Sequence, residues 1–211
     1  MKLKSTGTCG LLLCIQLKRE VSENMEGKNF LAVDCGNSWY KALSSDGGYY
    51  GDYQIPNAIS LYDEEFYEKP YDEGDIKFEE NMIVELKSHA LIDKREIYYI
   101  GKAATKQRDV SLTGFNNQKV DEDRTYILLF GLAAFHAVCL NPNETEIHYH
   151  IDQLAVSLPT TQYREMKDKF RQRLLGTHTV IFHKVPGVTE PKELTVKLYV
   201  EDVIIGAEGA C

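Results

Sequence analysis

The sequence has no unbroken apolar stretch of the roughly 20 residues that a membrane-spanning helix needs. The apolar segment at residues 10–17 is short, and Lys18, Arg19 and Glu20 follow it where a secretory signal would place a small-residue cleavage site. No membrane partner is expected. Cysteine is sparse and scattered. The five (Cys9, Cys14, Cys35, Cys139, Cys211) are odd in number and form no C-x-x-C pair, which argues against a disulfide framework or a zinc site and for reduced thiols in a cytoplasmic protein. Positive charge is in deficit, with 24 Lys and Arg against 32 Asp and Glu and a formal net charge of −8. A chain this acidic is repelled by phosphate backbones, so direct nucleic-acid binding is not expected and any action on DNA calls for an adaptor protein. The G-x-x-x-x-G-K-[ST] loop is absent. His89, His178 and His183 lack an evident nucleophile partner, and His148 and His150, which flank Tyr149, lack a third ligand, so neither a triad nor a metal centre is supported.

Strong patterning begins at Phe30. Residues 1–24 read as a poorly specified extension, Met25 as the functional start, and 25–211 as the domain proper. Residues 30–33 are a short apolar run leading into Asp34, Cys35, Gly36 and Asn37, the pattern of a buried strand that ends in a tight turn. Residues 39–44 predict a second strand, 45–48 a turn, and 49–55 a third strand stopped by Pro56. Between positions 63 and 80 nine acidic residues stand against two lysines. This predicts a solvated acidic loop at 62–80, with a partner surface as the competing reading. Residues 82–86 and 97–100 predict two strands. Asp123 is placed to cap a helix reaching Leu140, apolar around much of its circumference and therefore buried.

Residues 154–158 predict an interior strand. Pro159, Thr160 and Thr161 then open a helix on which Tyr163, Met166, Phe170 and Leu174 share one face, with Gly176 as its C-terminal cap. Lys167, Lys169, Arg171 and Arg173 form a basic stripe on that helix, read as its solvated face, with a subunit or adaptor contact as the alternative. Residues 179–185, 193–200 and 203–205 predict three further strands. This order specifies an α/β fold with a mixed β-sheet flanked by helices.

The segment with chemical content runs from Asp34 to Lys41. A carboxylate at a strand end can hold Mg2+ through its water shell. Gly36 lets backbone approach a phosphate, successive N–H groups in a tight turn cradle an anion, and the side chains of Asn37 and Ser38 add donors. Lys41, on the next strand, brings positive charge to the same place. A plain β-turn containing Asp, Gly and Asn has a similar pattern.

This octamer resembles the first phosphate motif of the actin, heat-shock-chaperone and sugar-kinase ATPase superfamily. The likeness narrows downstream. Gln54-Ile55-Pro56-Asn57-Ala58, Tyr98-Tyr99-Ile100-Gly101 with Ala103, the run from Leu154 to Tyr163, Lys169-Phe170-Arg171-Gln172-Arg173, and the run from Val203 to Glu208 follow in the order found in plasmid-segregation ATPases of the ParM/StbA family. The resemblance implies the N-terminal half of an actin-like (ribonuclease H-like) ATPase that clasps ATP and Mg2+ between β-hairpins. Asp34, Gly36, Asn37, Ser38 and Lys41 would be the first phosphate hairpin, with Asp34 holding Mg2+ through water, and Glu208 would position the attacking water. The family usually has Pro before this glutamate; here Ala207 stands there.

The second Asp-x-Gly hairpin and the Gly-rich adenosine segment of the family have no counterpart in the chain, so it is expected to bind ATP weakly and to hydrolyse it poorly alone. Implied partners are further copies in a filament and a DNA-binding adaptor. Two other readings are a metabolite kinase of the same superfamily, similar to type III pantothenate kinases, and a non-catalytic interaction domain.

Overall fold

The computed structural model describes residues 28–45, 53–66, 77–92, 96–112, 119–185 and 193–208. The extension at 1–24 and the middle of the acidic 62–80 segment lie outside these residues. The strands are β1 (Phe30–Cys35), β2 (Trp39–Ser44), β3 (Tyr53–Pro56), β4 (Ala58–Leu61), β5 (Ile83–Lys87), β6 (Ile97–Ile100), β7 (Ser111–Leu112), β8 (Glu146–Ile151), β9 (Gln153–Leu158), β10 (Gly176–His183), β11 (Leu194–Val200) and β12 (Val203–Ala207). The helices are α1 (Lys102–Thr105), α2 (Asp123–Leu140) and α3 (Thr160–Leu174).

The strands form two mixed sheets rather than one. The first has the order β12-β9-β1-β2-β3, the second β7-β4-β6-β5-β10-β11-β8. In the first sheet β1 pairs in parallel with β9, and β9 with β12, while β2 and β3 run antiparallel. The near-continuous apolar runs of β1 and β9 follow from this interior parallel position, where both faces are covered. In the second sheet β8 alternates buried and exposed positions and β11 buried and half-buried ones, as strands with one face to the core do.

Pro56 ends its strand, as the sequence predicts. It is the last residue of β3 and pairs with Trp39 at the sheet edge, where a missing N–H costs no ladder bond, and β4 begins two residues later. Asp123 is not the cap that the sequence predicts. It is the first helical residue of α2, and its carboxylate accepts a bond from the Ile92 N–H at 2.8 Å.

α2 is buried over Thr125–Ala137 and packs against both sheets, touching β1, β2 and β3 on one side and β5, β8, β10 and β11 on the other. It is long and apolar enough to cross a membrane by length and composition, but here sheets cover it. Gly131 is the point of closest approach: a Cβ there would lie 2.5 Å from Ile100 Cδ1. α3 is amphipathic as predicted, with Phe170 and Leu174 buried and Met166 packed on the same core. Gly176 follows it with φ +97°, the left-handed conformation that ends a helix without strain. On the flank of the acidic segment Phe78 packs against Phe135 and Phe182, so that end is anchored to the core.

His178 is fully buried between α3 and the turn after β5. Its Nε2–H donates to the Leu174 carbonyl at 3.0 Å, so Nδ1 accepts the Ser88 hydroxyl at 2.6 Å. The Phe130 ring stacks on it at 3.8 Å. The pair resembles a nucleophile and base, but the imidazole has no path to solvent and Ser88 Oγ also accepts the Ala90 N–H. It is a structural pair. Burial pushes His178 down to about 4 from the ordinary 6.5. The folded chain therefore binds fewer protons than the unfolded chain in that window, and stability present above pH 6.5 drains away as pH falls toward 4. Urea unfolding midpoints should show a loss of about 3 kcal/mol across this range, and His178→Gln should flatten the slope.

Candidate phosphate-binding site

The three parallel strands β1, β9 and β12 end together. Their carboxyl ends carry Asp34 and Cys35, Leu158, and Glu208, the last held by its N–H to the Leu158 carbonyl at 2.7 Å. Ligands of open α/β sheets bind at such strand ends. Asp34 faces Lys41 directly across the β1–β2 hairpin. One residue beyond the Val33–Val156 pair, Ser157 of β9 lies beside Asp34, and Gly206 of β12 lies beside Ser157. Glu208, two residues further on, shares their face of the sheet. The neighbouring residues Cys35 and Tyr40 point the other way and are buried in the main core.

Gly36, Asn37 and Ser38 form the turn between the strands, with Asn37 and Ser38 exposed. The glycine is required by the hairpin itself, since a Cβ at Gly36 would stand 2.6 Å from the Trp39 carbonyl oxygen. Asn57 fastens the turn from below. Its side-chain amide donates to the Gly36 carbonyl at 3.0 Å and its N–H to the Ser38 carbonyl at 2.9 Å. Arg124, in the first turn of α2, in turn grips Asn57 through Nε on Oδ1 at 3.0 Å and Nη2 on the carbonyl at 2.5 Å. The turn is thus tied to the helix that both sheets enclose.

The electrostatics are concentrated. Burial, and then the nearby Glu208 carboxylate, raise the Asp34 pKa, while Lys41 and Lys119 pull it back. Lys119 sits in a 3-10 turn, Lys119–Asp121, just before α2. Its ammonium donates to the Cys35 carbonyl at 2.7 Å and to Glu208 Oε1 at 2.9 Å. The structure therefore gathers Asp34, Gly36, Asn37, Ser38, Lys41 and Glu208 at one end of the first sheet. The sequence reading missed Lys119, Asn57 as a clamp, and Arg124. Asn57 stood inside a quoted segment without a role. Nothing in the local pattern distinguishes Lys119 from a solvated lysine; its burial does. His148, by contrast, bonds the Tyr199 hydroxyl at 2.8 Å, and among the described residues no cluster of three or more metal-ligating side chains occurs.

Asn57→Ala removes the amide that holds Gly36 and leaves Arg124 Nε without its partner. It should cost about 1–3 kcal/mol in urea unfolding and speed amide exchange at residues 36–38.

No curated protein matches the chain by sequence. The structure superposes on the actin-like protein Alp7A with a TM-score of 0.61 at 20% identity, covering 84% of this chain and 44% of that one. ParM of Bacillus thuringiensis in its apo form gives 0.63 at 20% identity, with 92% and 48% covered. The subunit of a 15-stranded ParM filament from Clostridium botulinum gives 0.61 at 18% identity, with 88% and 49% covered. The chain thus spans about half the length of these proteins, and at such identities the likeness establishes the fold. The sequence itself goes further: residues 32–210 match the N-terminal domain of actin-like proteins. The hairpin, the strand order and this match agree, and the chain belongs to the actin-like protein family as an N-terminal domain.

Proposed function

We propose that this chain supplies the first phosphate-binding face of an ATP cleft in a filament-forming, plasmid-segregating actin-like protein. The observation that carries the reading is the convergence of the Gly36–Asn37–Ser38 turn with Asp34, Lys41 and Glu208 at the carboxyl ends of three parallel strands. Two similar structures support nucleotide as the ligand, being ParM of Bacillus thuringiensis with ATP and with AMPPNP. Further copies of the same protein are the proposed filament partners, and an adaptor makes the DNA contact.

The donor set suits hydrated Mg2+. Asp34 and Glu208 offer hard carboxylate oxygens, and the raised pKa of Asp34 marks a place where further positive charge is favourable. When bound there, Mg2+ would neutralise charge on the phosphate oxygens. The residues of the chain then divide the remaining work. Backbone N–H groups and the Asn37 and Ser38 side chains in the exposed turn bind phosphate oxygens. Lys41 adds an ammonium on the same face. Glu208 accepts a hydrogen bond from water and orients it for in-line attack. Cleft closure from the opposite side belongs to the part of the relatives that this chain does not match.

Phosphorus NMR of Mg-ATP titrated with the 211-residue chain tests the site. The β- and γ-phosphate resonances should broaden. Asp34→Ala should abolish the effect and Lys41→Ala should weaken binding about tenfold. Unperturbed resonances at millimolar chain would overturn the nucleotide reading. Light scattering of the protein that stays flat on adding Mg-ATP, over a wide concentration range, would remove the filament reading.

A further inference from the structure

The basic residues of α3 stay partly solvated, with Lys169 and Arg171 exposed, yet three of the four also bond other parts of the chain. Arg173 Nη1 donates to the Val120 carbonyl at 2.6 Å and its guanidinium lies 4.9 Å from the Tyr126 ring centre. Lys169 pairs with Asp121 at 2.5 Å. Two residues of the stripe therefore hold the 3-10 turn that bears Lys119, and the Tyr126 hydroxyl donates a second bond to the Val120 carbonyl at 2.7 Å. Arg171 reaches elsewhere. Its Nη2 bonds Asp202 at 2.6 Å and its Nε the Val203 carbonyl at 3.0 Å, where β12 begins. One helix thus fixes both segments, the one carrying Lys119 from the side of Lys169 and Arg173 and the strand that leads to Glu208 from the side of Arg171.

Lys119 itself is 11% exposed as a side chain, against 35% for Glu208. A lysine buried this far must find an acceptor and a counter-charge. It finds the acceptor at Cys35, the residue before the phosphate turn, and the charge at Glu208. The contact occupies Oε1 of Glu208 and leaves Oε2 for a water. A catalytic carboxylate needs a third group that sets its orientation, and Lys119 has the geometry for it.

We infer that Lys119 is the positioning residue of Glu208, locking it to the phosphate turn, and that the α3 stripe holds this lysine in place. The inference rests on the reading of Glu208 as the water-orienting carboxylate. Lys119 ties the end of β1 to the end of β12 across the intervening β9. It also offsets the repulsion between Asp34 and Glu208, the two anions of the site. The charged groups that act on Asp34 are Glu208 after β12, Lys41 on β2 and Lys119 before α2.

The test is the conformation of the Glu208 side chain, read from three-bond NMR couplings across its χ1 and χ2 bonds in the chain, for the wild type, Lys119→Met, Lys119→Arg and Arg173→Gln. The wild type should hold one rotamer, since Lys119 fixes Oε1. Lys119→Met should lose it and give averaged couplings, and Lys119→Arg should restore a single rotamer. Arg173→Gln, which releases the Val120 carbonyl, should average the couplings in part. An unchanged single rotamer in folded Lys119→Met overturns the inference. Where Lys119→Met does not fold, Lys119→Gln, which keeps a donor for the Cys35 carbonyl but no charge, takes its place with the same two outcomes.

Phosphorus NMR of Mg-ATP on the same samples separates the two claims. A wild type that leaves ATP unperturbed, while Lys119→Met still frees the Glu208 side chain, sinks the nucleotide reading and upholds Lys119 as the positioning residue. A wild type that binds ATP, with Glu208 still in one rotamer in Lys119→Met, sinks the inference and leaves the nucleotide reading standing.

Discussion

A helix without a polar face has to be covered on every side, and the arrangement of this domain depends on that requirement. α2 is buried continuously from Thr125 to Ala137, so neither a single sheet nor a solvent-facing position would satisfy it. Two sheets do, one on each side. The first turn of the helix then lies beneath the β1–β2 hairpin, where Arg124 reaches Asn57, and the segment before it brings Lys119 to the strand ends. The rigid element at the centre of the core therefore also fixes the geometry of the site.

Charge is distributed with the same economy. The site holds two carboxylates and two ammoniums within a partly buried region, an arrangement that is costly unless each group has a partner. Lys119 has Glu208 and a carbonyl; Asp34 is set directly across the hairpin from Lys41. Asp34 nonetheless keeps a raised pKa, so the site retains an excess of negative character at one point. Such a point suits a hydrated cation accompanying a phosphate. Around it, the basic residues of α3 satisfy carbonyls and acids of the same chain.

Much of the fold was legible in the sequence, for identifiable reasons. The spacing of Tyr163, Met166, Phe170 and Leu174 gave the inward side of α3, on which Phe170 and Leu174 are buried, and the apolar character of 123–140 around much of its circumference gave a buried helix. Strand β6 was read at its observed bounds. The division into two sheets was less legible, because strand pairing is set by contacts between residues far apart in sequence, such as β5 with β10.

The sequence by itself determined the β1–β2 hairpin. Asp34, Gly36, Asn37, Ser38 and Lys41 lie within eight residues, and local backbone geometry suffices to bring a short turn and its flanking strands together. Only the tertiary structure decided what surrounds them. Lys119 and Glu208 are 89 positions apart, and Arg124 and Asn57 are 67 apart. Whether a lysine is a solvated charge or a buried partner of a carboxylate follows from the packing of α2, α3 and β12, and no local pattern encodes it.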